Sequence, residues 1–240
     1  IMELTKANNS RVMDINKKVI GIYGRAGIGK STIASMFDGV YFAATEAGLR
    51  HLDVRKTDIH SWEEFLEFLG LIARNQDPTI KCVCIDTVTN LVPLVQDYIC
   101  RLKGIEEIGD YKKFGAWHLA TAELQRVLTK LSLLPVGLIL ICHSTTEELE
   151  TKTMKVEKAT LDIGGKNKNV VLNMLQTLLY IETVIKDKTE IGVIRTKPSL
   201  YWEAKDKDRF FPDSIEFPLD KPEVAFKKMM DCINKKEGGN

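Results

Sequence analysis

Lys18-Val19-Ile20-Gly21-Ile22-Tyr23-Gly24-Arg25-Ala26-Gly27-Ile28-Gly29-Lys30-Ser31-Thr32 is the stretch from which the rest of this chain can be read. Its first six residues are a short β-branched, apolar run, the pattern of a buried strand. Gly24 to Ser31 then match G-x-x-x-x-G-K-[ST] in full, and Ser31–Phe37 suits a helix. Strand, glycine loop and helix in that order are the context the motif needs. The glycines let backbone N–H groups turn inward around phosphates, and the helix that follows offers its positive end to the same anion. Gly24, Arg25, Ala26, Gly27, Ile28, Gly29, Lys30, Ser31 and Thr32 are therefore the expected phosphate-binding set. Lys30 is expected to reach the β- and γ-phosphates of a nucleoside triphosphate, and Ser31 to ligate Mg²⁺. A dinucleotide loop would need G-x-G-x-x-G, and Gly27-Ile28-Gly29-Lys30-Ser31-Thr32 lacks the last glycine.

Outward from the loop, Gly39–Ala43 reads as a second strand. Ser61-Trp62-Glu63-Glu64 has a capping-box pattern that starts a helix ending near Asn75. Ile80–Asp86 is apolar on both faces apart from Lys81, the habit of a central parallel strand. Leu91–Leu102 and His118–Leu131 read as helices, and Val136–Cys142 as another apolar strand. The alternation of strands and helices through residue 142 marks a doubly wound α/β sheet. Beyond it, residues 144–169 are polar and read as a loop with little structure. Thr177–Ile185, Ile191–Arg195 and Ser199–Glu203 read as strands, with a hairpin turn at Lys186–Thr189, and Glu223–Ile233 as a terminal helix.

The 34 basic and 33 acidic residues give a net charge of +1, which excludes a chain coated with basic charge for nucleic acid. At 44% hydrophobic residues the chain can build a sizeable core, which excludes a disordered or fibrous protein. The apolar run Val136–Cys142 is far shorter than the ~20 residues of a membrane helix, and the first residues carry no leader pattern. Five scattered cysteines (82, 84, 100, 142 and 232) read as reduced core thiols of a cytoplasmic protein. Cys82-Val83-Cys84 has no second pair at ligand spacing, so no cysteine metal site is expected.

Three residues at strand ends carry the candidate chemistry. Asp86 closes an apolar strand about 55 residues after the loop, where a carboxylate can hold the Mg²⁺ shell beside Ser31. Glu46 lies just past the second strand, at the carboxyl edge where ligands of open α/β sheets sit, and could orient water. A solvated loop glutamate is the alternative. His143 is the first polar residue after Val136–Cys142. It either contacts the γ-phosphate or caps the strand end through backbone bonds.

Together these segments resemble the RecA-like ATPase core, and most closely phage-encoded RecA-like proteins linked to single-strand annealing recombination. The resemblance rests on Gly24–Ser31, on Thr45-Glu46-Ala47-Gly48-Leu49, on Cys84-Ile85-Asp86-Thr87-Val88-Thr89-Asn90-Leu91 and on Ile141-Cys142-His143-Ser144. It implies a mostly parallel central sheet flanked by helices, with C-terminal antiparallel strands. It also implies an ATPase domain over 19–234, between an extension at 1–18 and a flexible tail at 235–240. In the family Glu46 would activate water and His143 would stand where a γ-phosphate sensor, often Gln, is found. Ala204-Lys205-Asp206-Lys207-Asp208-Arg209-Phe210-Phe211-Pro212 is similar to the family's basic segment. Lys205, Lys207 or Arg209 would by that likeness complete the ATP site of a neighbouring subunit in a homo-oligomer. The residues alone suit a charged surface turn.

The resemblance also implies a single-stranded DNA path along Lys103–Phe114 and Ser144–Asn169, in the host cytoplasm if the protein is phage-encoded. Lys112 and Lys113 are flanked by aromatics, which suits phosphate contact with base stacking. Lys152, Lys155 and Lys158 recur every three residues, so a helix there would carry one basic face. Acidic residues match the basic ones in number across that segment. A P-loop kinase, a non-hydrolysing ATP-dependent assembly switch and a helicase motor remain as alternatives. Trp62, Trp117 and Trp202 read as packing residues.

Overall fold

Strand β1 (Val19–Gly24) lies at the middle of a sheet ordered β10-β8-β7-β1-β5-β4-β2-β3. The structure is a computed structural model that describes residues 14–74, 77–111 and 115–237. Lys112 and Lys113 fall outside these residues.

The six strands β3 (Arg55–Asp58), β2 (Val40–Ala44), β4 (Cys82–Asp86), β5 (Gly137–Glu150), β1 and β7 (Thr177–Lys186) run parallel. β8 (Thr189–Arg195) and β10 (Ser214–Pro218) extend the sheet antiparallel, and β9 (Lys205–Asp206) pairs antiparallel with the start of β7. This is the mostly parallel sheet with antiparallel C-terminal strands that the sequence implies.

Alternation along the central strands separates two cores. Tyr23, Val83, Ile85, Leu138 and Leu140 face one way. That face is covered by α2 (Trp62–Ala73), α3 (Val88–Lys103), α4 (Gly115–Ser132) and α5 (Gly165–Met174). Ile20, Ile22, Cys84, Ile139 and Ile141 face the other way, under α1 (Lys30–Ser35) and α6 (Pro222–Glu237). Strands with helices on both faces need apolar residues at every position, which is why β4 is buried throughout. Gly24 is required by the close approach of β7, since a Cβ there would stand 2.4 Å from the Ile181 carbonyl oxygen.

The expected helix cap is present: Ser61 Oγ accepts from the Glu64 N–H at 3.2 Å. The Glu64 carboxylate reaches one residue further back than a capping box requires, to the His60 N–H at 2.7 Å. Lys186–Thr189 is the expected hairpin turn, with Asp187 and Lys188 both at positive φ. Two of the three tryptophans lie against neighbours: Trp62 is fully buried beside Phe65, and Trp202 carries Arg195 at 4.6 Å from its ring centre. Trp117 is 41% exposed.

The largest departure from expectation is at 144–169. β5 continues past the sheet edge and pairs with β6 (Lys155–Leu161) in a long hairpin, and α5 follows. Lys155 and Lys158 are therefore strand residues of opposite facing, and no basic helical face exists. Lys155 pairs with Glu148 and Lys158 with Glu203, each at 2.8 Å, while Lys152 is exposed at the tip. Ser199–Glu203 is an irregular strap with one bridge, Trp202 to Ala159, and not a strand. Lys235–Glu237, expected in a frayed tail, belong to α6. Among the described residues no helix is long and apolar enough to cross a membrane.

Candidate functional site: a phosphate cleft at the carboxyl edge

Parallel strands β1, β2, β4 and β5 end side by side, so the residues just past their tips meet although they are far apart in sequence. Gly24 lies opposite His143, and Ala44 opposite Asp86. The cleft formed there holds about 350 Å³ and is lined by Ala26, Gly27, Gly29, Lys30, Ser31, Thr32, Glu46, Gly48, His51 and His143.

Gly27 and Gly29 have φ of 76° and 93°, a region side chains rarely enter, and this lets the loop turn into α1. Lys30 is buried. Its ammonium donates to the Gly24 carbonyl at 2.9 Å and the Arg25 carbonyl at 2.7 Å. Burial pulls its pKa down, while Asp86 and Glu46 nearby push it back up. Among the described residues Lys30 has no carboxylate within ion-pair distance, so its charge remains available to an anion.

Asp86 is 1% exposed at the tip of β4. Burial raises its pKa, and the Ser31 hydroxyl, donating to Oδ2 at 2.6 Å, partly offsets this. Oδ1 is buried with no hydrogen-bond partner among the described residues. A buried carboxylate oxygen without a partner is costly unless a ligand takes it. A hydroxyl and a carboxylate with a free oxygen suit Mg²⁺, which takes one or two protein oxygens and fills its octahedron with waters and phosphates. No group of three or more His, Cys, Asp or Glu able to hold a metal occurs among the described residues.

Glu46 stands opposite the loop. Asn90 Nδ2 donates to its Oε2 at 2.9 Å, and His143 Nε2 lies 3.2 Å from the same oxygen. His143 also donates its backbone N–H to Thr89 Oγ1 at 3.0 Å and accepts from the Asp162 N–H at 2.9 Å. Its ring thus faces the cleft while its backbone is held at the root of the hairpin. Thr45 and Thr87 tie the two strand tips together. Thr45 N donates to the Asp86 carbonyl, and the Thr45 hydroxyl bridges the N–H and carbonyl of Thr87, all at 2.8 Å.

The structure thus brings Lys30, Ser31, Glu46 and His143 into one cleft, with Asp86 buried against Ser31. It places Lys205, Lys207 and Arg209 elsewhere. β9 meets β7 at Thr177 and Leu178, while the loop end of β1 meets β7 at Ile181. The basic segment is therefore roughly 13 Å further down the sheet, toward its amino edge. Lys205 donates to the carbonyls of Leu172 and Leu175 at 2.8 and 3.3 Å, closing the end of α5. Lys207 and Arg209 are exposed.

Sequence reasoning missed Thr45, His51, Thr89 and Asn90. Thr45 and Asn90 sit inside the Glu46 and Asp86 segments, but their partners lie more than 40 residues away and no local pattern marks them. His51 lies two residues beyond the Glu46 segment.

Two solved structures are similar to this chain at low identity. The RadB recombinase is 14% identical with a TM-score of 0.48, over 85% of this chain and 88% of that one. The flagellar accessory protein FlaH from Methanocaldococcus jannaschii is 9% identical with a TM-score of 0.47, over 85% of each chain. No curated protein matches. Residues 16–208, which include the phosphate loop, the strand tips at the cleft and the hairpin, match the AAA domain family. The chain belongs to the AAA domain family, and its fold is a mostly parallel α/β sheet with antiparallel C-terminal strands.

Proposed function

We propose that the protein is a Mg²⁺-dependent ATPase that works on single-stranded DNA in recombination or annealing, with ATP bound between subunits of a homo-oligomer. The observation that carries the ATPase reading is the convergence of Lys30, Ser31, Glu46 and His143 on one cleft, with Asp86 buried against Ser31. Lys30 and the loop amides bind and orient the phosphates. Ser31 and Asp86 would hold Mg²⁺, which when bound neutralises charge on the phosphate oxygens. Glu46 orients a water and takes its proton as the water oxygen bonds to the γ-phosphorus. The bond to the bridging oxygen breaks and ADP leaves with that electron pair. His143, touching Glu46 and rooted in β5, couples the cleft to the hairpin.

The DNA reading is supported by where the hairpin lies. It continues the strand that carries His143, and its tip presents Lys152 together with Met154, which is 53% exposed. The reading of a shared site is supported by the exposure of Lys207 and Arg209 away from their own cleft. ATP turnover with and without single-stranded DNA tests both, alongside sedimentation with and without ATP. DNA-stimulated turnover lost in Lys30→Ala, with ATP-driven assembly, is expected. Turnover indifferent to DNA would remove the DNA reading, and a monomer fully active with ATP would remove the shared site.

One observation favours a second reading, phosphoryl transfer to a small acceptor. A cavity of about 400 Å³ adjoins Glu46 and is lined in part by Arg50, Lys56, Asp58 and His60. Transfer of phosphate from ATP to a nucleoside or similar acceptor, faster than to water, would establish it.

A further inference from the structure

We propose that Asn90 is a positioning residue for Glu46, selecting which carboxylate oxygen receives the water's proton. This rests on the reading of Glu46 as the water-activating group.

Asn90 is the third residue of α3, the helix that starts directly after Asp86 and Thr87. Asparagine is a poor helix former, and the cap of this helix is already supplied by Thr87, whose hydroxyl accepts from the Asn90 N–H at 3.3 Å. The side chain is free for another task, and it spans to a residue 44 positions away, donating to Glu46 Oε2 at 2.9 Å. A carboxylate only accepts, so the amide must present its NH₂ group there. His143 Nε2 approaches the same oxygen at 3.2 Å. Two partners on Oε2 fix the plane of the carboxylate, and among the described residues Oε1 has no hydrogen-bond partner. Oε1 lies over Gly48, 3.4 Å from where a Cβ would stand, and Gly48 and Glu46 both line the phosphate cleft. The base is thereby aimed at the cleft through one defined oxygen. His143 alone would leave the carboxylate free to rotate about its one contact, and its donor state varies with tautomer, whereas an amide donates at any pH.

A carboxylate that must be aimed loses catalytic power when its partner is removed, even though it is still present. The test measures kcat, ATP affinity and melting temperature for the parent, Asn90→Ala, Asn90→Asp, Glu46→Gln and the double variant Glu46→Gln/Asn90→Ala. Asn90→Ala is expected to lower kcat roughly 10- to 100-fold with ATP affinity within about twofold. Alanine favours the helix, so the melting temperature should not fall. Asn90→Asp should lose more, because a second carboxylate repels Glu46. In the Glu46→Gln background, followed by single-turnover hydrolysis with enzyme in excess, Asn90→Ala should cost nothing further. A merely structural role predicts equal losses in both backgrounds. Parent-like kcat in Asn90→Ala, or the same loss in the Glu46→Gln background, would overturn the proposal and leave Glu46 as the base. Parent-like kcat in Glu46→Gln would instead remove the reading of Glu46, and the role of Asn90 with it.

Discussion

The phosphate cleft and the β5–β6 hairpin are built from the same kinds of residue, Lys, Glu, Thr and His, yet they treat charge in opposite ways. In the cleft, Lys30 donates to two carbonyls, and Asp86 is held by a serine and Glu46 by an amide and an imidazole. In the hairpin, Lys155 with Glu148, Lys158 with Glu203 and Lys168 with Glu147 form ion pairs. Burial makes the first arrangement expensive, because a charge taken from water must be compensated. Only a ligand that brings the missing charges makes the cleft worth its cost. Of the hairpin pairs, Lys155 with Glu148 sits in water on both sides and contributes little. Unneutralised charge inside and neutralised charge outside distinguish the cleft from the hairpin.

Breaking the cleft should have the largest effects. Lys30→Ala is expected to lower ATP turnover by about 10³-fold or more, since it removes a buried cation of the phosphate loop. Isothermal titration of the same variant should show weakened ATP binding and an unchanged melting temperature. Intact turnover would mean that the buried charge is not there for phosphate. Glu46→Gln should lower turnover by roughly 10²- to 10⁴-fold, because the amide keeps the shape and loses the base.

Gly24→Ala separates the cleft from its scaffold. A Cβ only 2.4 Å from the Ile181 carbonyl must push β1 from β7, so a loss of about 1–3 kcal/mol is expected in denaturant unfolding. Full stability in this variant would show that the two strands tolerate a wider spacing than their register implies.

Much of this contrast was legible in sequence, and the reason lies in range. The phosphate loop could be read because its glycines, lysine and serine are consecutive. β4 could be read because a strand buried on both faces has no polar position to confuse it. β3 could not, since Arg55-Lys56-Thr57-Asp58 is an edge strand with no apolar residue to reveal it. The hairpin was hidden for the same reason: most of its residues pack against no core, so Lys152, Lys155 and Lys158 looked like a helical repeat. The positions of Glu46 and His143 were legible separately. Their contact, across 97 residues, exists only because β2 and β5 flank β4 in the folded sheet.

The hairpin side of the contrast should respond weakly. Lys152→Ala at the exposed tip is expected to lower affinity for single-stranded DNA about two- to fivefold and to reduce its salt dependence, as loss of one phosphate contact does. Anisotropy titrations across a salt series measure both. An unchanged salt slope would take the tip off the DNA path. Smaller still, Lys155→Ala should leave the melting temperature unchanged, because its pair with Glu148 is solvent-exposed on both sides.

The central claim is that the cleft hydrolyses ATP through Glu46 and does not merely bind it. The most direct measurement follows ATP binding and phosphate release on the same preparations of parent and Glu46→Gln, with Mg²⁺ present. The expected result is equal binding in both, with phosphate release in the parent and almost none in the variant. Equal phosphate release in both, or binding without release in the parent, would contradict it.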